Sequence, residues 1–126
     1  MNKIVNSLVN VLTDHSLAAS GEWIQSLGID VSGSVGYITV ELQAKGTTVQ
    51  LSGDITLKIL GSIDGTNFTD IEKGIPVISM TDVNTTYEIQ TESFDITPYK
   101  EIKLALINSD DTNAATISLG YVLVTL

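Results

Sequence analysis

The stretch DITLKILGSIDGTNFTD, Asp54 to Asp70, decides the fold. Ile55, Leu57 and Ile59 alternate with Thr56 and Lys58, the period-2 pattern of a β-strand with one buried face. Gly61-Ser62 then breaks the run, and Asp64-Gly65 supplies the positive φ that a tight turn demands. Phe68 starts the return. The segment therefore predicts a strand over Asp54 to Leu60 followed by a hairpin turn.

The same grammar extends in both directions. A first strand is predicted from Lys3 to Leu12, and a second from Glu22 to Leu27 with Trp23 as its anchor. Gly28 to Ser34 reads as a Gly- and Ser-rich loop. Tyr37 to Ala44 alternates cleanly, with Ile38, Val40, Leu42 and Ala44 on one face and Tyr37, Thr39, Glu41 and Gln43 on the other. Gly46 to Gly53 is polar except for Val49 and Leu51, and reads as a short edge strand. Phe68 to Glu72 and Val77 to Met80 read as return segments around the Gly74–Pro76 break, and Thr86 to Thr91 as a further strand. Phe94 to Tyr99 places Thr97 before Pro98 without helical periodicity afterwards, which suits a single-turn crossover from one sheet to the other. Lys100 to Asn108 alternates again through Ile102, Leu104 and Leu106. Asp110 to Asn113 reads as a hairpin loop, and Ala115 to Leu126 as a final strand held within a sheet.

About eight strands with turn signals roughly every 8–15 residues predict an all-β, antiparallel β-sandwich, jelly-roll-like, with almost no helix. At 126 residues with only two prolines and no linker-like stretch, residues 1–126 read as one domain. A chain of this size buries roughly 65% of its unfolded surface, enough for a core without staples.

Charge narrows the function. Fifteen acids against six Lys+Arg leave a net charge of −9, and every one of the six is lysine. Without arginine for bidentate contacts, and with an acidic surface, nucleic acid and anionic lipid are disfavoured partners. No run approaches the ~18 apolar residues of a membrane span. Asn6, Ser7 and Asn10 interrupt the first segment too often for a signal-peptide core. There is no cysteine, so thiolate catalysis and Cys-based metal sites are excluded. Mean hydropathy is +0.26 despite the acids, which suggests apolar surface reserved for another chain.

Reactive constellations are absent from the pattern. His15 is the sole histidine, and its residue type fits a loop or strand end. No serine sits in a G-x-S-x-G elbow. The close carboxylate pairs Asp70/Glu72, Asp110/Asp111 and Glu92/Asp95 fall in or beside loops, where solvated charge explains them. Asp64, Asn67 and Asp70 contain the oxygens a calcium ion needs, but their spacing is that of a turn and matches no EF-hand. The sequons at Asn67 and Asn84 are read as coincidental. The expectation is a protein with no catalytic residue, no metal and no cofactor.

Two segments carry a resemblance. GSIDGTNFTDI, Gly61 to Ile71, resembles a G-S-x-D-G-T-x-F/W hairpin of small β-sandwich virion proteins of tailed phages, of the capsid-decoration or head-fibre type. FDITPYKEIKLAL, Phe94 to Leu106, is similar to the strand–turn–Tyr–strand connection of the same proteins, and SGEWIQSLGI to their short second strand. The resemblance implies a non-enzymatic structural role on the outer surface of a capsid, with the capsid lattice and further copies of the chain, as a homotrimer, for partners. On that reading Ile4, Leu8 and Val11, in the docking strand of residues 1–12, are the attachment candidates. Asp64, Gly65, Asn67, Asp110 and Asp111 are the exposed loop tips. The alternative is a carbohydrate-binding sandwich module of a phage tail or bacterial surface protein, with Trp23 and Tyr37 as stacking rings.

Overall fold

In the computed structural model, which describes residues 4–125, alternation has become two stacked antiparallel sheets. The strands are β1 (Ile4–Val5), β2 (Val9–Leu17), β3 (Glu22–Ile24), β4 (Ile29–Asp30), β5 (Val35–Gly46), β6 (Ile55–Ser62), β7 (Ile75–Met80), β8 (Glu88–Asp95), β9 (Glu101–Asn108) and β10 (Ala115–Thr125). In the first sheet β10 lies between β5 and an interrupted edge strand made of β1 and β2, and β8 closes the far edge. In the second, β9 lies between β6 and an interrupted edge strand made of β3 and β4, and β7 closes the far edge. With each interrupted edge counted as one strand, the chain alternates between sheets in the order of a jelly roll. The only helical turn among the described residues is the 3-10 segment Ile71–Lys73.

The predicted inner faces are the observed ones. Ile38, Val40, Leu42 and Ala44 of β5 are fully buried, as are Ile55 and Leu57 of β6 and Ile102, Leu104 and Leu106 of β9. Register places Ile38 beside Leu123, Val40 beside Tyr121 and Leu42 beside Leu119 on one sheet, and Leu57 beside Leu106 on the other. Such pairs on two facing sheets build one core. The Phe94–Tyr99 segment does carry the chain from β8 in the first sheet to β9 in the second, through a turn closed by Tyr99 N–H donating to Ile96 O at 3.0 Å.

Other local expectations need correction. Asp110 to Asn113 is not a hairpin loop: β9 and β10 belong to different sheets, so these residues arch across the sandwich. Turn formers look alike in both settings. Gly65 does take positive φ (80°), and β6 and β7 do pair. The return, however, is not immediate. Residues 63–74 first fold over the outer face of the second sheet, where Ile71 covers Leu60 and Ala105 and Lys58 Nζ donates to Ile71 O at 2.9 Å. Gly46 ends β5 and Thr47 to Gly53 forms no strand; Leu51 is buried by a loop while Val49 is exposed. The return segments also differ: Phe68 and Asp70 lie in that loop, and β7 begins earlier, at Ile75. The predicted second strand stops at Ile24 and resumes as β4 inside the expected loop. The strand predicted at Thr86–Thr91 lies at Glu88–Asp95, drawn onward by Phe94, which packs against the core.

The first strand runs past Leu12 to Leu17, while Lys3 lies outside the described residues, as does Leu126 at the other end. Two register shifts against β10, between Ile117 and Leu119 and between Leu119 and Gly120, erase its period-2 signal. Asp14 sits there at a φ of 46°. Such bulges on an edge strand also discourage another strand from adding to it.

Leu104 is fully buried at the centre of β9. Leu104→Ala is expected to cost about 2–5 kcal/mol, read as a fall in the urea midpoint without a change in slope.

Candidate functional site

One lateral edge of the sandwich differs from the rest of the surface. It is formed by β1–β2 of the first sheet and β3–β4 of the second. Eleven large apolar side chains are exposed among the described residues, and Ile4, Val5, Leu8, Val9, Ile24 and Leu27 account for six of them. Between β2 and β3 the edge opens into a cleft of about 450 Å³, lined by Val9, Val11, Leu12, Trp23, Ile24 and Leu27 together with the polar Asn10, Gln25 and Ser26. From Ile4 to Thr13 the sequence carries no charge. An uncharged apolar rim is a marked departure from the rest of a chain of net charge −9.

The opposite edge, β7 with β8, has another character. Glu88, Gln90 and Glu92 of β8 face inward, in register with Ala44, Leu42 and Val40. Inward-pointing charge on an edge strand is a guard against edge-to-edge pairing. Its cleft is lined by Ser79, Thr81, Glu88 and Gln90 along with Met80 and Ile89.

The attachment candidates divide. Ile4 and Leu8 are 60% and 57% exposed. Val11 is half-buried in the wall of the cleft and packs against the core. Val5, Val9, Ile24 and Leu27 complete the rim and were missed by the sequence reading. Their apolar character was visible, but the neighbourhood of β1–β2 and β3 is set by the sheet stacking.

The two stacking candidates do not form one platform. Trp23 pairs with the buried Leu106, so it is half-buried at the base of the edge cleft, with the His15 ring 6.5 Å from its own and tilted by 59°. His15 itself lies within β2, not in a loop. Tyr37, 41% exposed, pairs with Val124 on the outer face of the other sheet.

The loop-tip candidates also divide. Asp64 and Asn67 are exposed and Gly65 half-buried. The Asp64 carboxylate accepts from the N–H groups of Asn67 and Thr66, both at 2.8 Å, from the Asn67 amide at 2.7 Å and from Ser62 Oγ at 3.0 Å. These donors, the Asn67 N–H foremost, hold its carboxyl well below the usual carboxylate range. Asp111 is exposed at the other end of the molecule. Asp110 is no exposed tip: it is 1% exposed. Its Oδ2 accepts from Ser52 N–H at 2.8 Å, and its Oδ1 from Thr112 N–H at 2.9 Å and Asn113 N–H at 2.8 Å. Asp110 therefore clamps the arch to the loop before β6, and those donors, Ser52 first, depress its carboxyl too. Asp30 and Asp95 make shorter versions of the same turn with Ser32 and Thr97. The shared D-x-S/T spacing is the signal by which sequence reading finds such clamps.

Beneath Asp110 lies Asn108, fully buried. Its amide donates to Asn113 O at 3.0 Å and Ala18 O at 3.2 Å, while its Oδ1 accepts from Asp110 N–H at 3.0 Å. Among the described residues no group of three or more His, Cys, Asp or Glu converges to hold a metal ion.

No protein-family model and no curated protein matches the chain. Solved structures do. A chain of the infectious bursal disease virus Gx strain structure superposes with a TM-score of 0.71 at 12% identity, over 99% of this chain and 32% of that one. The PBSX exported protein XepA gives 0.58 at 16%, over 93% and 36%. The CBM22-1 xylan-binding domain of Paenibacillus barcinonensis Xyn10C gives 0.56 at 7%, over 98% and 85%. The chain thus spans about a third of the length of the first two. The likeness is one of fold, a β-sandwich shared with a viral chain, an exported protein and a xylan-binding domain.

Asn108→Ala is expected to destabilise by about 1–3 kcal/mol, since it strands buried backbone carbonyls and the Asp110 N–H; thermal melts check it. The depressed carboxyls of Asp64 and Asp110 add a pH dependence. The unfolded chain binds their protons at about pH 4 and the folded one only in stronger acid. Their contribution is complete above that value and is lost as pH falls toward the folded pKa. The melting temperature should therefore hold from pH 7 to about 5 and drop below about 4, with a shallower drop in Asp110→Asn.

Proposed function

We propose that this chain is a non-enzymatic structural protein of a virus particle, a capsid-decoration protein on the shell's outer surface, attached through its β1–β2/β3–β4 edge. The observation that carries this reading is the concentration of exposed apolar side chains on that one edge: Ile4, Val5, Leu8, Val9, Ile24 and Leu27. A buried edge of this kind suits a closed homotrimer seated on a lattice. The register shifts in β2 make strand addition unfavourable, so the contact is one of side chains inserted into or around the cleft. Binding to the assembled lattice and not to its free subunits would stabilise the shell by mass action. A Cys-free, acidic sandwich meets the requirements of the role, since its charge keeps it away from packaged nucleic acid. The fold neighbours drawn from a virus and from PBSX support the same class.

Light scattering over a dilution series tests the assembly. The wild-type chain should remain a trimer, and Leu8→Asp, at an exposed position, should yield monomers that keep the wild-type circular dichroism spectrum but melt at a lower, concentration-independent temperature. Immuno-electron microscopy of particles from the source culture tests the location: label on shell surfaces is expected. A monomer at every concentration, or label confined to debris, overturns the reading.

A further inference from the structure

The outer face of the first sheet holds a polar notch beside the attachment edge, with which it shares Asn10 and Leu12. Register makes it. Asn10, Gly120 and Glu41 stand side by side across β2, β10 and β5, and Ser118 stands beside Gln43 one step along. Gly120 alone in this row carries no side chain, and the Leu8 side chain leans into the gap this leaves. A Cβ there would come within 3.1 Å of Leu8 Cδ1, 3.2 Å of Val9 O and 3.4 Å of Asn10 Oδ1. The gap widens to about 260 Å³ with Leu12, Thr13, Glu41 and Gln43 around it.

The wall is held still. Asp14, at positive φ in the β2 bulge, donates its N–H to Ser118 Oγ at 3.0 Å and accepts a hydrogen bond from Tyr87 Oη through its carboxylate. Lys45 Nζ sits 4.7 Å from the centroid of the Tyr87 ring, so that ring braces the wall and is not free for stacking. On the other side Gln43 Nε2 donates to Glu41 Oε1 at 3.0 Å. This leaves the second carboxylate oxygen of Glu41 and the amide oxygen of Gln43 as aligned acceptors. Asn10 and Thr13 add donors and acceptors across the gap.

We propose that this notch binds a neutral saccharide, one sugar ring deep. Hydroxyls both donate and accept, which suits a lining of carboxylate, amides and hydroxyls. The lining contains no cation and one carboxylate, which disfavours phosphate or sulfate. Leu12 offers an apolar contact for the ring's C–H face. The volume falls just below the roughly 300 Å³ at which ligand clefts begin, so the notch takes a single ring or a chain end. Without an aromatic platform a single site should bind at about millimolar strength, and an array of copies on one particle would raise that by avidity.

The test is an amide-shift titration with tetrasaccharides of glucose, galactose and N-acetylglucosamine. Saturable shifts at Asn10, Glu41, Gln43, Ser118 and Gly120 with at least one of them are expected. The double variant Glu41→Ala/Gln43→Ala alters only half-buried surface, and should lose about tenfold or more in affinity with an unchanged melting temperature. Shifts with none of the three sugars, shifts centred elsewhere, or wild-type affinity in the double variant overturn the proposal.

Discussion

The packing of the β5 inner face against those of β6 and β9 is the constraint on which the rest of the molecule depends. Ile38, Val40, Leu42 and Ala44 meet Ile55, Leu57, Ile102, Leu104 and Leu106 in a single core, each of them fully buried. Because side chains alternate strictly along a strand, a slip of one residue in any of these strands would exchange the whole apolar set for Thr39, Glu41, Lys103 and their neighbours. Register is therefore fixed in the centre of both sheets. Everything at the edges and ends inherits its position from it.

That inheritance explains the different roles of the two lateral edges. Both sheets end in a strand with a free side, and an unguarded sandwich would aggregate through them. On β8 the guard is charge turned inward: Glu88 and Glu92 occupy positions that the centre of the sheet gives to aliphatic residues. On β2 the guard is geometric, a pair of register shifts that spoil the ladder, while the residues before it, Ile4, Val5, Leu8 and Val9, are left apolar and exposed. An edge shielded against strand addition yet rich in aliphatic side chains is suited to a specific docked partner. This is the physical basis of the proposed attachment role.

The polar groups follow a similar economy. Asp64 and Asp110 look in the sequence like display loops or incipient cation sites, yet Asp64 spends its oxygens within its own turn and Asp110 divides its own between its turn and the Ser52 N–H. The Asn108–Asp110 pair then fastens the arch between the sheets to the loops around Ala18 and Ser52. Loops held by such clamps keep a fixed shape without disulfides, which this Cys-free chain cannot form.

By itself the sequence determined the fold class, the inner faces of β5, β6 and β9 and the crossover at Phe94–Tyr99. All of these follow from local period and residue type. It named Ile4 and Leu8, which are exposed, but could not see that Ile24 and Leu27 lie on the same edge. Tertiary structure alone decided that Asp110–Asn113 spans the sheets, that Trp23 and Tyr37 face different surfaces, that Asp110 is buried, and that Asn10, Gly120 and Glu41 form one row. The physical reason is common to all of them. Alternation specifies which way a side chain points within its own strand, whereas the neighbour it meets is set by pairings between residues distant in sequence, as between Asn10 and Gly120.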